Sequence, residues 1–220
     1  AKRRGLAVVC DEVMCGLGRH GQDPRGATGC FLTECWDLRP DVITFGKSVG
    51  GGAGHLLSGA ILLKGASALA AASRTAYQSH TYAGSSVRAL CNAVSLLDRL
   101  ESLRADVRRV EAAVKPALDA LREESGGRVL TQGQGALWGG LFAHSSLAER
   151  SAANVALKEK CAAAGVLPYF VPVGGFMLTP RYDDDPELLR AAVGDLAQCC
   201  LEVVDEMKWP DEDLLPRVRA

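Results

Sequence analysis

Asp11 and Lys47 are the residues of this chain whose types and spacing could do chemistry together. A short apolar run over residues 6–10 leads straight into Asp11-Glu12-Val13, and a second run over 41–46 leads straight into Lys47. Read as strands, these runs deliver a carboxylate and a primary amine at neighbouring strand ends. A carboxylate holds a protonated ring nitrogen through a charge-assisted hydrogen bond. A lysine amine condenses with an aldehyde and, once released, can move a proton. The pair suits a cofactor with a pyridine nitrogen at one end and an aldehyde at the other, which is the chemistry of pyridoxal phosphate. Gly50-Gly51-Gly52, just beyond Lys47, lets backbone come close to a bulky ligand. Taken singly, an Asp or a Lys at a strand end is more often a solvated loop residue. The reading needs both to face one ring-sized gap.

The elements that must position them read as alternating strands, glycine turns and helices over residues 1–103. Residues 6–10 are continuously apolar, as expected of a strand covered on both faces. Residues 16–35 hold five glycines and a proline, which predicts a long irregular connection. Strands are predicted at 41–46, opened by Pro40, and at 58–63. A short alanine-rich helix is predicted at 67–73. A longer helix follows from about residue 86 to the region of Leu100, with Leu90, Ala93, Val94, Leu97 and Leu100 at helical spacing.

The second half has a different rhythm. A helix is predicted over 106–124, ended by Gly126-Gly127 and kinked or broken at Pro116. Strands are predicted over 128–132 and 137–143, then a helix over 147–164 stopped by Gly165. Short strands follow at 166–171 and 176–179. The last helix takes Asp184 or Asp185 as its cap and Pro186 in its first turn, with an apolar stripe from Leu188 almost to Pro210. These patterns predict an α/β domain over 1–103 followed by a small α+β domain over 104–220. The chain lacks an initiator Met and opens with what reads as the tail of a helix, Lys2-Arg3-Arg4-Gly5, so the expectation is a start inside a domain.

Charge and cysteine usage narrow the function classes. Lys plus Arg number 25 against 26 Asp plus Glu, so no basic excess argues for nucleic acid or an anionic membrane. The most apolar stretch, 56–73, is interrupted by Gly59, Lys64 and Gly65 and makes a poor membrane span. Eight cysteines show no C-x-x-C spacing, and four histidines are scattered. The expectation is reduced, mostly buried thiols in a cytoplasmic compartment, and no metal site.

Two short motifs compete with the first reading. Gly16-Leu17-Gly18-Arg19-His20-Gly21 fits the dinucleotide fingerprint G-x-G-x-x-G. However, Asp11 to Cys15 intervene after the strand, and Gln22-Asp23-Pro24-Arg25-Gly26 follows where a helix should begin. Gly46-Lys47-Ser48 resembles the end of a P-loop, but the glycine needed five residues before Gly46-Lys47 is Asp41. Only the cofactor reading uses all the pieces at once.

Three segments, in order, resemble the class III pyridoxal-phosphate aminotransferases, the ω-aminotransferase or ornithine aminotransferase-like family. Asp11-Glu12-Val13-Met14-Cys15-Gly16-Leu17-Gly18-Arg19 is similar to the family's cofactor-nitrogen segment. Pro40-Asp41-Val42-Ile43-Thr44-Phe45-Gly46-Lys47-Ser48-Val49-Gly50-Gly51-Gly52 is similar to its Schiff-base segment. His80-Thr81-Tyr82-Ala83-Gly84 is similar to the segment whose threonine reaches the cofactor phosphate of the partner subunit. The resemblance implies Lys47 as the Schiff-base lysine, Asp11 as partner of the ring nitrogen, Val13 packed on one ring face and Thr81 on the phosphate across a homodimer interface. It implies the C-terminal half of the fold-type-I large domain followed by a small α+β domain. It also implies amino transfer between a small-molecule amine or amino acid and a keto acid, in the cytoplasm or a mitochondrion. An aminomutase of the same fold, or a truncated non-catalytic paralogue serving as a dimerisation partner, are the alternatives. The family's earlier half, with its phosphate loop and ring-stacking aromatic, has no counterpart here. Near the C-terminus, Arg181 follows Pro180 where the family often sets an arginine before the proline.

Overall fold

The computed structural model describes residues 4–21, 29–50, 59–62 and 87–215. The chain divides into two compact units, Ala1–Ala105 and Asp106–Ala220. The expected strand pair is the centre of the first. Strands β1 (Val9–Asp11), β2 (Val42–Phe45) and β3 (Gly59–Leu62) lie in the order β1-β2-β3. β1 runs parallel to β2, and β3 is antiparallel to it. The pairing is anchored at both ends. Val8 N donates to Asp41 Oδ2 at 2.8 Å, Asp41 N donates to Val8 O at 2.7 Å, and Glu12 N donates to Thr44 O at 2.9 Å.

β1 is shorter and later than the 6–10 run predicts, and it is not covered on both faces. Val9 is 58% exposed. It lies at one edge of the described sheet, and only Ile43 on the central strand is buried among the three strands' described side chains. The connection after β1 turns through left-handed Leu17 (φ 59°) and Gly18 (φ 78°) before helix α1 (Leu32–Cys35). A Cβ on Gly18 would come within 2.7 Å of Leu100 Cδ1, so glycine serves there both for its φ and for the close approach.

Within helix α2 (Val87–Asp98) only Ala93 of the predicted stripe is buried, as is Leu100 just beyond the helix. The inward face of the helix is made of Ala89 and Ala93, while Leu90, Val94 and Leu97 are exposed. Ala93 joins Leu17 and Val49 in a small core, with Phe45 and Leu96 packed against it. This core draws together the turn after β1, the turn after β2 and α2. It thereby fixes both segments that leave the sheet at its carboxyl edge.

After a turn at Arg99 the chain enters α3 (Leu100–Glu124). Pro116 neither breaks nor ends this helix, contrary to the sequence expectation. A proline at that position deprives the Ala112 carbonyl of its N–H partner, but Ala112 and Pro116 both lie on the exposed side, where water can serve. The opposite side buries Val107, Val110, Val114, Leu118 and Leu121, and this apolar face holds the helix through the missing bond.

The second unit is an antiparallel sheet with helices. Strands β4 (Val129–Gln134), β5 (Leu137–Phe142), β6 (Tyr169–Val171) and β7 (Gly175–Leu178) lie in the order β4-β5-β7-β6. β4 and β5 form a hairpin whose two-residue turn uses left-handed Gly135. Helix α4 (Leu147–Ala164) is capped by Ser146 and stopped by left-handed Gly165. Helix α5 (Pro186–Met207) starts at Asp185, whose carboxylate accepts from Glu187 N at 2.8 Å. Phe142, Phe176, Leu157, Leu196, Val203 and the α3 residues form one continuous core. Cys161, Cys199 and Cys200 belong to it, whereas Cys10, Cys15, Cys30 and Cys35 are half-buried and Cys91 is exposed. The thiols are thus less deeply placed than the sequence reading expects.

Candidate active site

The register of β1 on β2 pairs Val9 with Val42, Cys10 with Ile43 and Asp11 with Thr44. Asp11 therefore ends β1 beside the last residues of β2, and Lys47 follows three positions after Thr44 on the adjoining strand. Parallel neighbours lie about 4.8 Å apart. Both residues leave the sheet at its carboxyl edge, where open α/β sheets bind ligands. Asp11 and Lys47 are both exposed.

Lys47 opens a single 3-10 turn, Lys47–Gly50, and its backbone is left-handed at φ 50°. A residue with a Cβ adopts this conformation rarely, and such strain persists where the surroundings impose it. Here Val49, two residues on, is buried with Leu17 and Ala93, and Val49 N donates to Gly46 O. The turn is pinned from below while the lysine stays open to solvent.

Asp11 is held by two donors on one oxygen. Val13 N donates to Oδ1 at 3.0 Å, and Thr44 Oγ1 donates to the same oxygen at 3.0 Å. The first is an Asx-type turn, which any aspartate can make with its own chain; the second crosses to the neighbouring strand. Val13 is half-buried in the turn after β1, and its backbone, rather than its side chain, makes the contact with Asp11. Thr81 lies outside the described residues.

Glu12, next in sequence, is 3% exposed. Its carboxylate accepts from Leu32 N at 2.6 Å and Thr33 N at 2.8 Å, and Cys15 Sγ donates to it at 3.8 Å. Gly16 N donates to the Glu12 carbonyl at 2.9 Å. One buried acid thus ties β1, the turn after it and the start of α1. Burial, followed by the Glu12 charge, pushes the Cys15 thiol up to about 11, so this sulfur stays protonated and is no nucleophile near neutral pH. His20 is also buried, with Nδ1 3.7 Å from Cys35 Sγ, and burial lowers its pKa.

Neither Thr44 nor Glu12 has a role legible from the sequence alone. Thr44 is the one hydroxyl in Val42-Ile43-Thr44-Phe45, a signal that becomes informative only once the strand register is known. Among the described residues no group of His, Cys, Asp and Glu could hold a metal ion. Among them, too, no helix is long and apolar enough to cross a membrane.

The family model described as aminotransferase class-III matches residues 1–181. The chain belongs to the class-III aminotransferase family. Members such as the acetylornithine and ornithine aminotransferases use pyridoxal phosphate. The chain is 30% identical over 213 residues to an acetylornithine aminotransferase of Xylella fastidiosa (strain Temecula1 / ATCC 700964), covering 90% of this chain and 46% of that protein. Among solved structures it resembles the ornithine δ-aminotransferase of Plasmodium falciparum, with 26% identity and a TM-score of 0.66, covering 93% of this chain and 50% of the other. The N-acetylornithine aminotransferase of Stenotrophomonas maltophilia K279a shares the fold at 21% identity and a TM-score of 0.66, with 93% and 50% covered. This class-III aminotransferase chain spans about half the length of the relatives it matches. The mixed α/β architecture of those neighbours is the one described above.

Proposed function

We propose that this chain contributes the lysine and the ring-nitrogen carboxylate of a pyridoxal-phosphate-dependent transaminase, moving an amino group between an amine or amino acid and a keto acid. The single observation that carries the reading is the parallel register of Asp11 on Thr44, with Lys47 three residues further along the same sheet edge. When bound, pyridoxal phosphate supplies an aldehyde for joining amines and a cationic ring that draws electrons from the carbon beside the amine. The residues present fit that group. Asp11 offers Oδ2, which takes no hydrogen bond among the described residues, while Oδ1 is already committed to Val13 N and Thr44 Oγ1. Asp11 Oδ2 would hold the proton on the ring nitrogen. Lys47 Nζ would hold the cofactor covalently and, once displaced by a substrate amine, carry a proton to and from the neighbouring carbon.

The rest of the proposal draws on the family resemblance. Val13 would lie against one ring face, and Thr81 would donate to the phosphate across a homodimer interface. In fold-type-I terms the first unit would be the later half of the cofactor-binding large domain, and the second unit the small α+β domain. The half-length coverage of relatives supports a chain that works with the remainder of such a protein. A cytoplasmic setting is supported by the eight thiols, none of them in a disulfide.

The test is covalent capture. Incubation of the chain with pyridoxal phosphate, reduction with borohydride and peptide mass spectrometry should place the pyridoxyl group on Lys47, and Lys47→Ala should abolish it. Even labelling of all lysines would overturn the reading. Amino-donor panels that include acetylornithine and ornithine, offered with 2-oxo acids, would then identify the substrate pair in a protein carrying both halves.

A further inference from the structure

We propose that Thr44 is a positioning residue that aims Asp11 at the ring nitrogen. The inference rests on the reading of Asp11 as that nitrogen's partner. Asp11 stands exposed at a strand end, where a carboxylate otherwise turns freely about a broad, two-fold terminal torsion. The Val13 N–H can hold it in any Asx-type turn and by itself sets only a local bend. The Thr44 hydroxyl adds a second donor to the same Oδ1 from another strand, at 3.0 Å. Two donors from two strand ends on one oxygen restrain rotation of the carboxylate and leave Oδ2 without a hydrogen bond among the described residues. Thr44 is itself stiff. It is β-branched, with few side-chain rotamers available in a strand, and its backbone is paired with Asp11 and accepts from Glu12 N. The hydroxyl is therefore delivered to Asp11 by the parallel register, and pre-setting an acceptor removes an ordering cost from ligand binding.

The experiment measures the pyridoxal phosphate concentration that half-saturates borohydride-trapped labelling of Lys47, in the full chain and in four variants. Thr44→Val keeps the shape and removes the donor, and should raise that concentration about tenfold, the effect of a hydrogen bond of about 1.4 kcal/mol. Thr44→Ser restores the donor and should return it to within about twofold of the parent. Asp11→Asn should raise it by at least as much as Thr44→Val, and Asp11→Asn/Thr44→Val should match Asp11→Asn alone, because Thr44 acts through Asp11. Circular dichroism verifies that each variant folds; should Thr44→Val be unstable, Thr44→Ala removes the same hydroxyl and takes its place in the single and the double variant. Labelling of Lys47 that weakens with Asp11→Asn yet is indifferent to Thr44→Val would overturn the Thr44 proposal and leave the site reading standing. Additive effects in the double variant would do the same. A parent chain that labels Lys47 no faster than its other lysines would overturn both.

Discussion

At the scale of single residues, the site rests on side chains that do no chemistry themselves. Glu12 is the clearest. Its buried carboxylate is the acceptor for two backbone N–H groups 20 and 21 residues further on, and hydrogen bonds to a charge contribute about 1.5–3 kcal/mol each. Glu12→Ala should cost about 3 kcal/mol in the stability of the first unit, with amide exchange at Leu32 and Thr33 accelerating first. Glu12→Gln keeps one carbonyl oxygen but turns an N–H2 toward the second donor, so it should recover only part of the loss. His20 sets a pH dependence. Burial lowers its folded pKa below the ordinary 6.5, so the unfolded chain binds the proton more readily. The contribution of a neutral His20 is then fully present above about pH 6.5 and declines as the pH falls below it. Urea unfolding midpoints measured between about pH 5 and pH 8 should fall on the acid side, and His20→Gln should flatten that slope.

At the scale of elements, local signals and packing divide the work. The caps act where the residue types say they should. Asp185 starts α5 through Glu187 N, and Asp185→Ala should lower the stability of the second unit by about 1 kcal/mol. Pro116 is the instructive case, because a local rule is overruled. The lost bond falls on the exposed side of α3, while Val110, Val114 and Leu118 are fully buried on the other. Pro116→Ala should restore the bond to the Ala112 carbonyl and stabilise the second unit by about 1–2 kcal/mol, the helix gain less the entropy the proline removes from the unfolded chain. A shift of the urea midpoint to higher concentration, at unchanged slope, is the measurement. Helix α2 shows the opposite failure. Its leucines have helical spacing, yet the alanines form the buried face.

At the scale of the whole molecule, the two units differ in how much core each holds among the described residues. The cluster of the second unit runs from Val107 to Trp209 and includes all three of its helices. The described cluster of the first unit is Leu17, Val49 and Ala93, and the apolar side chains of Leu6, Val9, Leu90 and Val94 are exposed. Stability follows buried apolar area. A polypeptide of residues 100–220 should therefore unfold cooperatively by circular dichroism, at a midpoint close to that of the corresponding transition in the full chain. A non-cooperative melt would contradict this. The same contrast bears on the cofactor. On the proposed reading, Asp11 and Lys47 would hold the two ends of a ring and supply nothing for its phosphate, so the 220-residue chain should retain pyridoxal phosphate weakly on gel filtration.

Which residue types stand at the ends of the two strands, where α4 and α5 start and where α4 stops are properties the sequence determined by itself. Capping and glycine stops act within a few residues, and strand-end chemistry needs only adjacency in the chain. The structure decided what depends on distant segments meeting. These are the register that sets Thr44 against Asp11, the partners of Glu12 on α1, the continuity of α3 through Pro116 and the face of α2 that is buried. Each follows from pairing or packing between parts of the chain well apart in sequence, where periodicity and propensity carry no information about which neighbour arrives.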